Sequence, residues 1–186
     1  MQMNKEIFAQ TDRLVLRKFN QNDYFNLCGI LQDEKTMYAY EGAFSDSEVQ
    51  AWLDNQLRRY REEGVGLYAV ELKDGGRFVG QCGLTMQDIP GRRVLEIGYL
   101  FRRDCWHNGY AAEAARACRE YAFDTLGANA VFSIIRDSNI PSQNVAKRTG
   151  MTEKERFVKH YRGVDMPHIV FSIDRDEWKN RLKNEE

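Results

Sequence analysis

The stretch from Leu95 to Ala115 holds the residues whose types and spacing best suit chemistry. A strand-like run, Leu95-Glu96-Ile97-Gly98-Tyr99-Leu100-Phe101, leads into a loop, Arg102 to Asn108, and a helical period starts near Gly109. The first N–H groups of a helix lack internal partners, and the helix dipole puts partial positive charge there. Gly109 lets backbone approach a ligand closely and Ala111 adds little bulk, so this mouth suits a diphosphate, with side-chain donors on His107 and Asn108. An ordinary strand-loop-helix connection accounts for the same residues.

A second polar group follows the next strand. Asn139 and Ser142 stand at the entry of a short helix, where such residues cap routinely; capping and ligand contact are both open on spacing alone. His107, His160 and His168 lack the close pairing and the cysteine partner of a metal site, so no metal is expected. Cys28, Cys82, Cys105 and Cys118 form no CxxC pair. Without a secretion signal, reduced thiols are expected. Cys105 lies near His107 in sequence, but loop spacing does not by itself make a nucleophile and base.

These residues need a scaffold, and the hydrophobic period outlines one. Arg13 to Arg17 alternates leucine and arginine, the pattern of a half-buried strand. Asn20 and Asp23 form a capping arrangement before a helix carrying Tyr24, Leu27, Cys28 and Leu31. Ser45-Asp46-Ser47-Glu48 is a capping box. Behind it Val49, Trp52, Leu53, Gln56, Leu57 and Tyr60 share a mainly apolar face, and Gly64 is a stop signal. Leu67–Leu72, Arg77–Gln87 and Val94–Phe101 read as three strands, parted by Asp74-Gly75-Gly76 and by a break at Asp88 to Gly91. From Gly109 a helix places Ala111, Ala114, Ala115, Cys118, Ala122 and Leu126 on one face, and Gly127 ends it. A strand at Ala130–Arg136, a short helix at Pro141–Arg148 and strands at Thr152–Tyr161 and His168–Asp174 complete the chain. The order β-α-α-β-β-β-α-β-α-β-β predicts a mixed α/β sheet with helices packed against it.

The 186 residues predict a single domain over 1–186, with no repeat, linker or low-complexity segment. Lys and Arg number 27 against 28 Asp and Glu, a net charge of -1, which argues against general nucleic-acid binding. No run of about 18 apolar residues is present, so no membrane span is expected. Met1 to Gln10 lacks the apolar core of a signal peptide, which makes the cytosol the expected location.

Four segments in register carry a family resemblance: Thr11-Asp12-Arg13-Leu14-Val15-Leu16-Arg17, Glu96-Ile97-Gly98-Tyr99, Trp106-His107-Asn108-Gly109-Tyr110-Ala111-Ala112-Glu113-Ala114, and Asn139-x-x-Ser142-x-x-Val145-x-x-Arg148-x-Gly150-Met151. The chain resembles the GNAT-type acyl-CoA N-acyltransferases, closest to the RimJ/RimL-like branch, over roughly residues 11–175. The resemblance implies an α/β (α+β) fold with a mixed, mainly antiparallel central sheet, flanked by helices and splayed at its middle strands. It implies acetyl-CoA as donor, an amine acceptor, no metal and a lean toward a homodimer. Backbone groups of Tyr99, Leu100 and Phe101 would pair with the pantetheine arm. Amides of His107, Asn108, Gly109, Tyr110, Ala111 and Ala112 would take the diphosphate, with Asn139 and Ser142 contacting the coenzyme from across the cleft. Trp106 stands where the wider family has Gln or Arg, as is common in this branch; His107 replaces a small residue; and Ala146 stands where some members carry a tyrosine acid.

Acyl transfer to an amine needs a neutral nucleophile, a stabilised oxyanion and a proton for the leaving thiolate. Glu96, on the strand face of Gly98 and Leu100, is the candidate base, directly or through water; its alternative is a sheet-surface carboxylate paired with Arg93. A backbone N–H near Leu100 would hold the oxyanion. Ser142 and Tyr161 are candidate donors to the thiolate. Tyr38 to Glu41 and the closing segment Phe157 to Phe171 would line the acceptor side. The leading expectation is N-acetyl transfer to a protein N-terminus or a small-molecule amine. The alternatives are a polyamine- or aminoglycoside-type acetyltransferase and a non-catalytic acyl-CoA sensor.

Overall fold

Alternating leucines seed the central sheet: Leu14 and Leu16 are fully buried in β2 (Leu14–Arg17). The computed structural model describes residues 6–185; Met1 to Lys5, part of the segment read for a leader, and Glu186 lie outside them. The elements continue as α1 (Tyr24–Leu31), α2 (Asp46–Glu62), β3 (Leu67–Leu72), β4 (Phe78–Ile89), β5 (Arg92–Phe101) and α3 (Tyr110–Asp124). They close with β6 (Ala130–Arg136), α4 (Ile140–Arg148), β7 (Thr152–Tyr161), β8 (Val164–Asp174) and α5 (Arg175–Glu185). A strand β1 (Ile7–Gln10) precedes them.

The strands form one eight-stranded sheet in the order β1-β2-β3-β4-β5-β6-β8-β7. Every neighbouring pair is antiparallel except β5 and β6, which run parallel. This is the mixed sheet the element order predicts, and the mainly antiparallel one the family resemblance implies. On one face, α3 lays Ala114, Ala115, Cys118 and Ala122 against the sheet. Small side chains let helix and sheet approach closely, and the Cys82 and Cys118 sulfurs come within 3.7 Å. On the other face, α1 and α2 bury Leu27, Leu31, Val49 and Leu53 over Leu67, Ala69 and Phe78.

Both expected caps form. Asn20 and Asp23 cap one another, and the Ser45 hydroxyl and Glu48 carboxylate close the box at the start of α2. Arg17 departs from the expected solvent-facing arginine. It is buried, donating to both oxygens of Asp23 at 2.7 and 2.8 Å and to Glu71 at 2.7 and 2.9 Å. Burial alone would push the Asp23 carboxyl up; the Arg17 guanidinium and the Asn20 N–H outweigh it and hold the group below its ordinary value. This cluster pins α1 to β2 and β3.

Some boundaries differ from expectation. β4 runs on to Ile89, so only Pro90 and Gly91 make the turn. Leu126 lies past the end of α3 and is 43% exposed, while Phe123 and the stem of Arg119 bury instead. β1 and α5 add to the expected element order. β1 is four residues long, and its Phe8 ring stacks on Tyr68 at 3.9 Å. α5 offers no periodic apolar stripe and is anchored by Trp178 stacked on Phe123 at 4.9 Å.

Candidate functional site

β5 and β6 pair at one point, Glu96 opposite Phe132. Beyond it β5 continues to Phe101 and β6 to Arg136 with no further pair, so the sheet opens into a wedge. Side chains stitch its apex: the Ser133 hydroxyl donates to the Ile97 carbonyl at 2.9 Å, and the Ile134 N–H donates to Glu96 Oε1 at 3.2 Å. Strands can part here because a parallel pair has no hairpin to hold it and β6 finds its ladder on β8 instead.

The free edge of β5 faces this wedge. The Arg102 N–H donates to Val79 O at 2.9 Å, continuing the regular β4–β5 register. Alternation then turns the backbone of Leu100 toward β4 and that of Tyr99 and Phe101 toward the cleft. The expectation that all three backbones face an incoming arm is corrected to this extent. The Phe101 carbonyl is also taken, by the Trp106 indole N–H at 2.9 Å. Leu100 contributes its side chain to the cavity wall.

The loop after β5 ends at the mouth of α3. His107 and Gly109 both take positive φ, 63° and 78°, and Gly109 is the N-cap with no side-chain cap of its own. Among the described residues, the N–H groups from His107 to Ala112 show no internal acceptor. Asn108 does not offer its amide to the cleft: its Nδ2 donates to the Cys105 and Trp106 carbonyls and shapes the loop. The acid in the first turn, Glu113, is tied down. It accepts from Thr11 Oγ1 at 2.5 Å, from Arg13 N–H at 3.0 Å and from Arg13 Nε at 2.7 Å. Burial pulls its carboxyl up, but the Thr11 and Arg13 hydrogen bonds hold it below the ordinary value. The mouth therefore presents bare amides with its negative charge neutralised, which fits a diphosphate.

Across the wedge, Asn139 caps α4 with its Oδ1, accepting from Ser142 N–H at 3.2 Å and from Tyr38 hydroxyl at 2.8 Å. The capping role holds, and Asn139 also lines the cavity. Ser142 lines the same cavity, and its carbonyl accepts from Tyr99 hydroxyl at 2.7 Å. Ala146 is fully buried beneath this contact. Burial pushes the Tyr99 phenol well up.

The cavity has a volume of about 320 Å³, and Glu96 and Ser142 open onto it together. Its floor is the wedge; its walls are α2, the turn Tyr38–Tyr40 and the β7–β8 hairpin. Arg162 at the hairpin tip pairs with Glu48 and lies over the Phe44 ring at 5.0 Å, which closes the hairpin onto α2. Glu96 is half-buried, and burial raises its carboxyl above the ordinary range, against the Ile134 N–H and Lys159. It does not pair with Arg93, which binds Glu63 at 3.3 Å. Tyr161 lines the cavity. The fold also brings Arg59 of α2 to the cavity, which no pattern in the sequence marks, together with Lys159 of β7 and His168 of β8, which lie in the closing segment expected on the acceptor side. Among the described residues no helix is long and apolar enough to cross a membrane, and no cluster of three potential metal ligands forms.

Residues 13–152 match the model of the acetyltransferase (GNAT) domain. The chain belongs to the GNAT acetyltransferase family. It is 38% identical over 150 residues to the protein YkkB of Bacillus subtilis (strain 168), covering 80% of this chain and 87% of that one. It is 29% identical over 173 residues to the N-acetyltransferase p20 of Bacillus licheniformis, covering 90% and 96%. The fold matches RimL, ribosomal L7/L12 alpha-N-protein acetyltransferase in complex with coenzyme A, with a TM-score of 0.77 at 13% identity over 92% of this chain and 99% of that one.

Proposed function

We propose that the protein moves an acetyl group from acetyl-CoA to a primary amine by direct attack, with no covalent enzyme intermediate. The observation that carries this is the parting of β5 and β6 beside the partnerless amides of α3. A wedge with an unpaired strand edge accepts an amide-bearing chain as a strand accepts its neighbour, and the α3 mouth takes the diphosphate at its end. Tyr99 and Phe101 offer the free edge; His107 to Ala112 offer the amides.

Glu96 is the proposed base. Its raised carboxyl lies closer to neutrality than a free glutamate, which improves its match to the proton it must accept. The Ile134 N–H holds Oε1 at 3.2 Å, while Oε2 takes only a long hydrogen bond from the Thr85 hydroxyl, 3.4 Å, and keeps a lone pair for an incoming ammonium or a bridging water. Loss of that proton frees the nitrogen lone pair for the acetyl carbonyl. A cleft-facing N–H of Tyr99 or Phe101 would hold the oxyanion; one such donor contributes typically about 2.7–4 kcal/mol to the transition state. As the C–N bond forms and the C–S bond breaks, the nitrogen sheds its second proton; Ser142, which lines the cavity, is the proposed relay, taking up that proton as it gives its own to the departing sulfur. The four buried or half-buried thiols play no part: Cys105 is buried, hydrogen-bonded to Asp104 and shifted up by burial, which weakens it as a nucleophile.

Two measurements test this. Calorimetric titration with coenzyme A is expected to show one site per chain, and acetyl-CoA is expected to yield free thiol when an amine is supplied. A folded protein that takes up no coenzyme at millimolar concentration would overturn the proposal.

A further inference from the structure

The acceptor cavity carries charge that a simple amine does not need. Three cations line it, Arg59, Arg136 and Lys159, against Glu96 and Asp88. Arg136 is already spent on Glu41 and on the Tyr38 carbonyl. Lys159 has no ion pair or hydrogen bond among the described residues. Arg59 is half-buried on α2, and its Nε is fully enclosed with no acceptor. Glu63, the carboxylate one turn further along α2, gives Oε1 to Arg93 at 3.3 Å; its Oε2 is enclosed without a hydrogen bond, and its charge supports Arg59 from a distance without an ion pair. Asp88 lies at the exposed end of β4. An enclosed guanidinium donor without a partner is costly to leave unmade, and an incoming anion relieves it.

Resting on the acetyl-transfer reading above, we propose that the acceptor is a small zwitterionic amine of amino-acid type, its anionic end held by Arg59 and Lys159 and its amine delivered to Glu96. The two cations line the cavity from different elements, α2 and β7, and both act electrostatically on the carboxylate of Glu96, which lines it from β5. A ligand with one charge of each sign satisfies all three groups at once. A polyamine or an aminoglycoside brings only cations toward Arg59 and Lys159, and like charge placed together is rejected. The volume, about 320 Å³, is at the small end of the range for ligand pockets, roughly 300–1,000 Å³, and part of it, lined by Tyr99, Asn139 and Ser142, belongs to the coenzyme's acetyl end, so the space beside Glu96 suits a small acceptor.

The test is an acceptor panel read by free coenzyme A thiol: the common L-amino acids, β-alanine and γ-aminobutyrate, each α-amino acid as its amide, spermidine, and short peptides with neutral and acidic first residues. The best free amino acid is expected to exceed its own amide by about tenfold or more in kcat/KM, since a charge-assisted contact is lost. Arg59→Met and Lys159→Met are expected to erase that gap while calorimetric affinity for coenzyme A stays unchanged; Arg59→Lys is expected to keep part of it. Lys159 is exposed, so its variant tests the idea even where Arg59→Met fails to fold. Amides, spermidine or peptides preferred over free amino acids would overturn this inference and leave acetyl transfer standing. Coenzyme uptake with no thiol released for any acceptor would overturn both.

Discussion

Backbone from one short stretch, Tyr99 to Ala112, makes the wall of the cleft proposed for the coenzyme, and its groups are amides held by register and by a helix start. Side chains from three remote places make the acceptor wall: Tyr38–Tyr40, α2 around Arg59, and the β7–β8 hairpin around Lys159. The first wall tolerates change in side chains and is sensitive to backbone conformation. The second has the reverse sensitivity. Substitutions sort accordingly, and each of the following can break or sharpen the contrast.

Glu96→Gln has the largest expected effect. Turnover should fall about 10²–10⁴-fold, the usual range for a general base, with coenzyme affinity intact. The acidic limb of kcat/KM should lie above the ordinary carboxylate range in the parent protein and vanish in the variant, as a pH–rate profile will show. The stability sign is opposite to the activity sign. A carboxyl raised in the folded state loses stability as pH rises from its unfolded value through its folded value. Glu96→Gln should therefore raise the melting temperature at neutral pH, measured calorimetrically, while it removes activity.

Asp23→Asn leaves the Arg17 guanidinium short of one buried carboxylate and should cost about 3–5 kcal/mol in denaturant unfolding. Because this cluster seats α1 on the α2 side of the sheet, destabilised variants should lose the acceptor wall before coenzyme affinity.

Gly109→Ala tests the coenzyme wall. A Cβ there meets only Arg13 Nη2, at 3.6 Å, so the cost lies in the φ of 78° and amounts to about 1 kcal/mol. Calorimetry should show weaker coenzyme binding with unchanged acceptor preference. Glu113→Gln cuts the clamp between the α3 mouth and Thr11 and Arg13. Its parent carboxyl is held low, so the stability it contributes is present above the unfolded value and lost as pH falls through the folded one. The variant should lose that acid sensitivity. Ser142→Ala should have the smallest effect, a severalfold decrease in turnover, because water can supply the thiolate's proton in place of a hydroxyl.

The strand-loop-helix geometry of the proposed coenzyme wall is legible in the sequence because it is local. Gly109 at a helix start after a strand has its meaning within a dozen residues, and the caps at Asn20, Ser45 and Asn139 read the same way. Arg17 turns inward because alternation assigns a face and carries no information on Asp23 and Glu71, which wait on it. Leu126 stays out because the helix stops before the period does. In α5 the contact that matters is a distant one, Trp178 on Phe123.

The amino-acid order by itself determined the strands and helices from β2 to β8, the helix mouth at α3 and the candidate carboxylate on β5, because period, caps and glycine act over one or two turns of chain. Only the tertiary structure decided that β5 and β6 part after a single pair, that Arg59 and Lys159 meet across one cavity, and which edge of β5 faces it. Those outcomes depend on contacts between residues 30 to 120 positions apart, whose geometry is set by sheet order and packing and by nothing local.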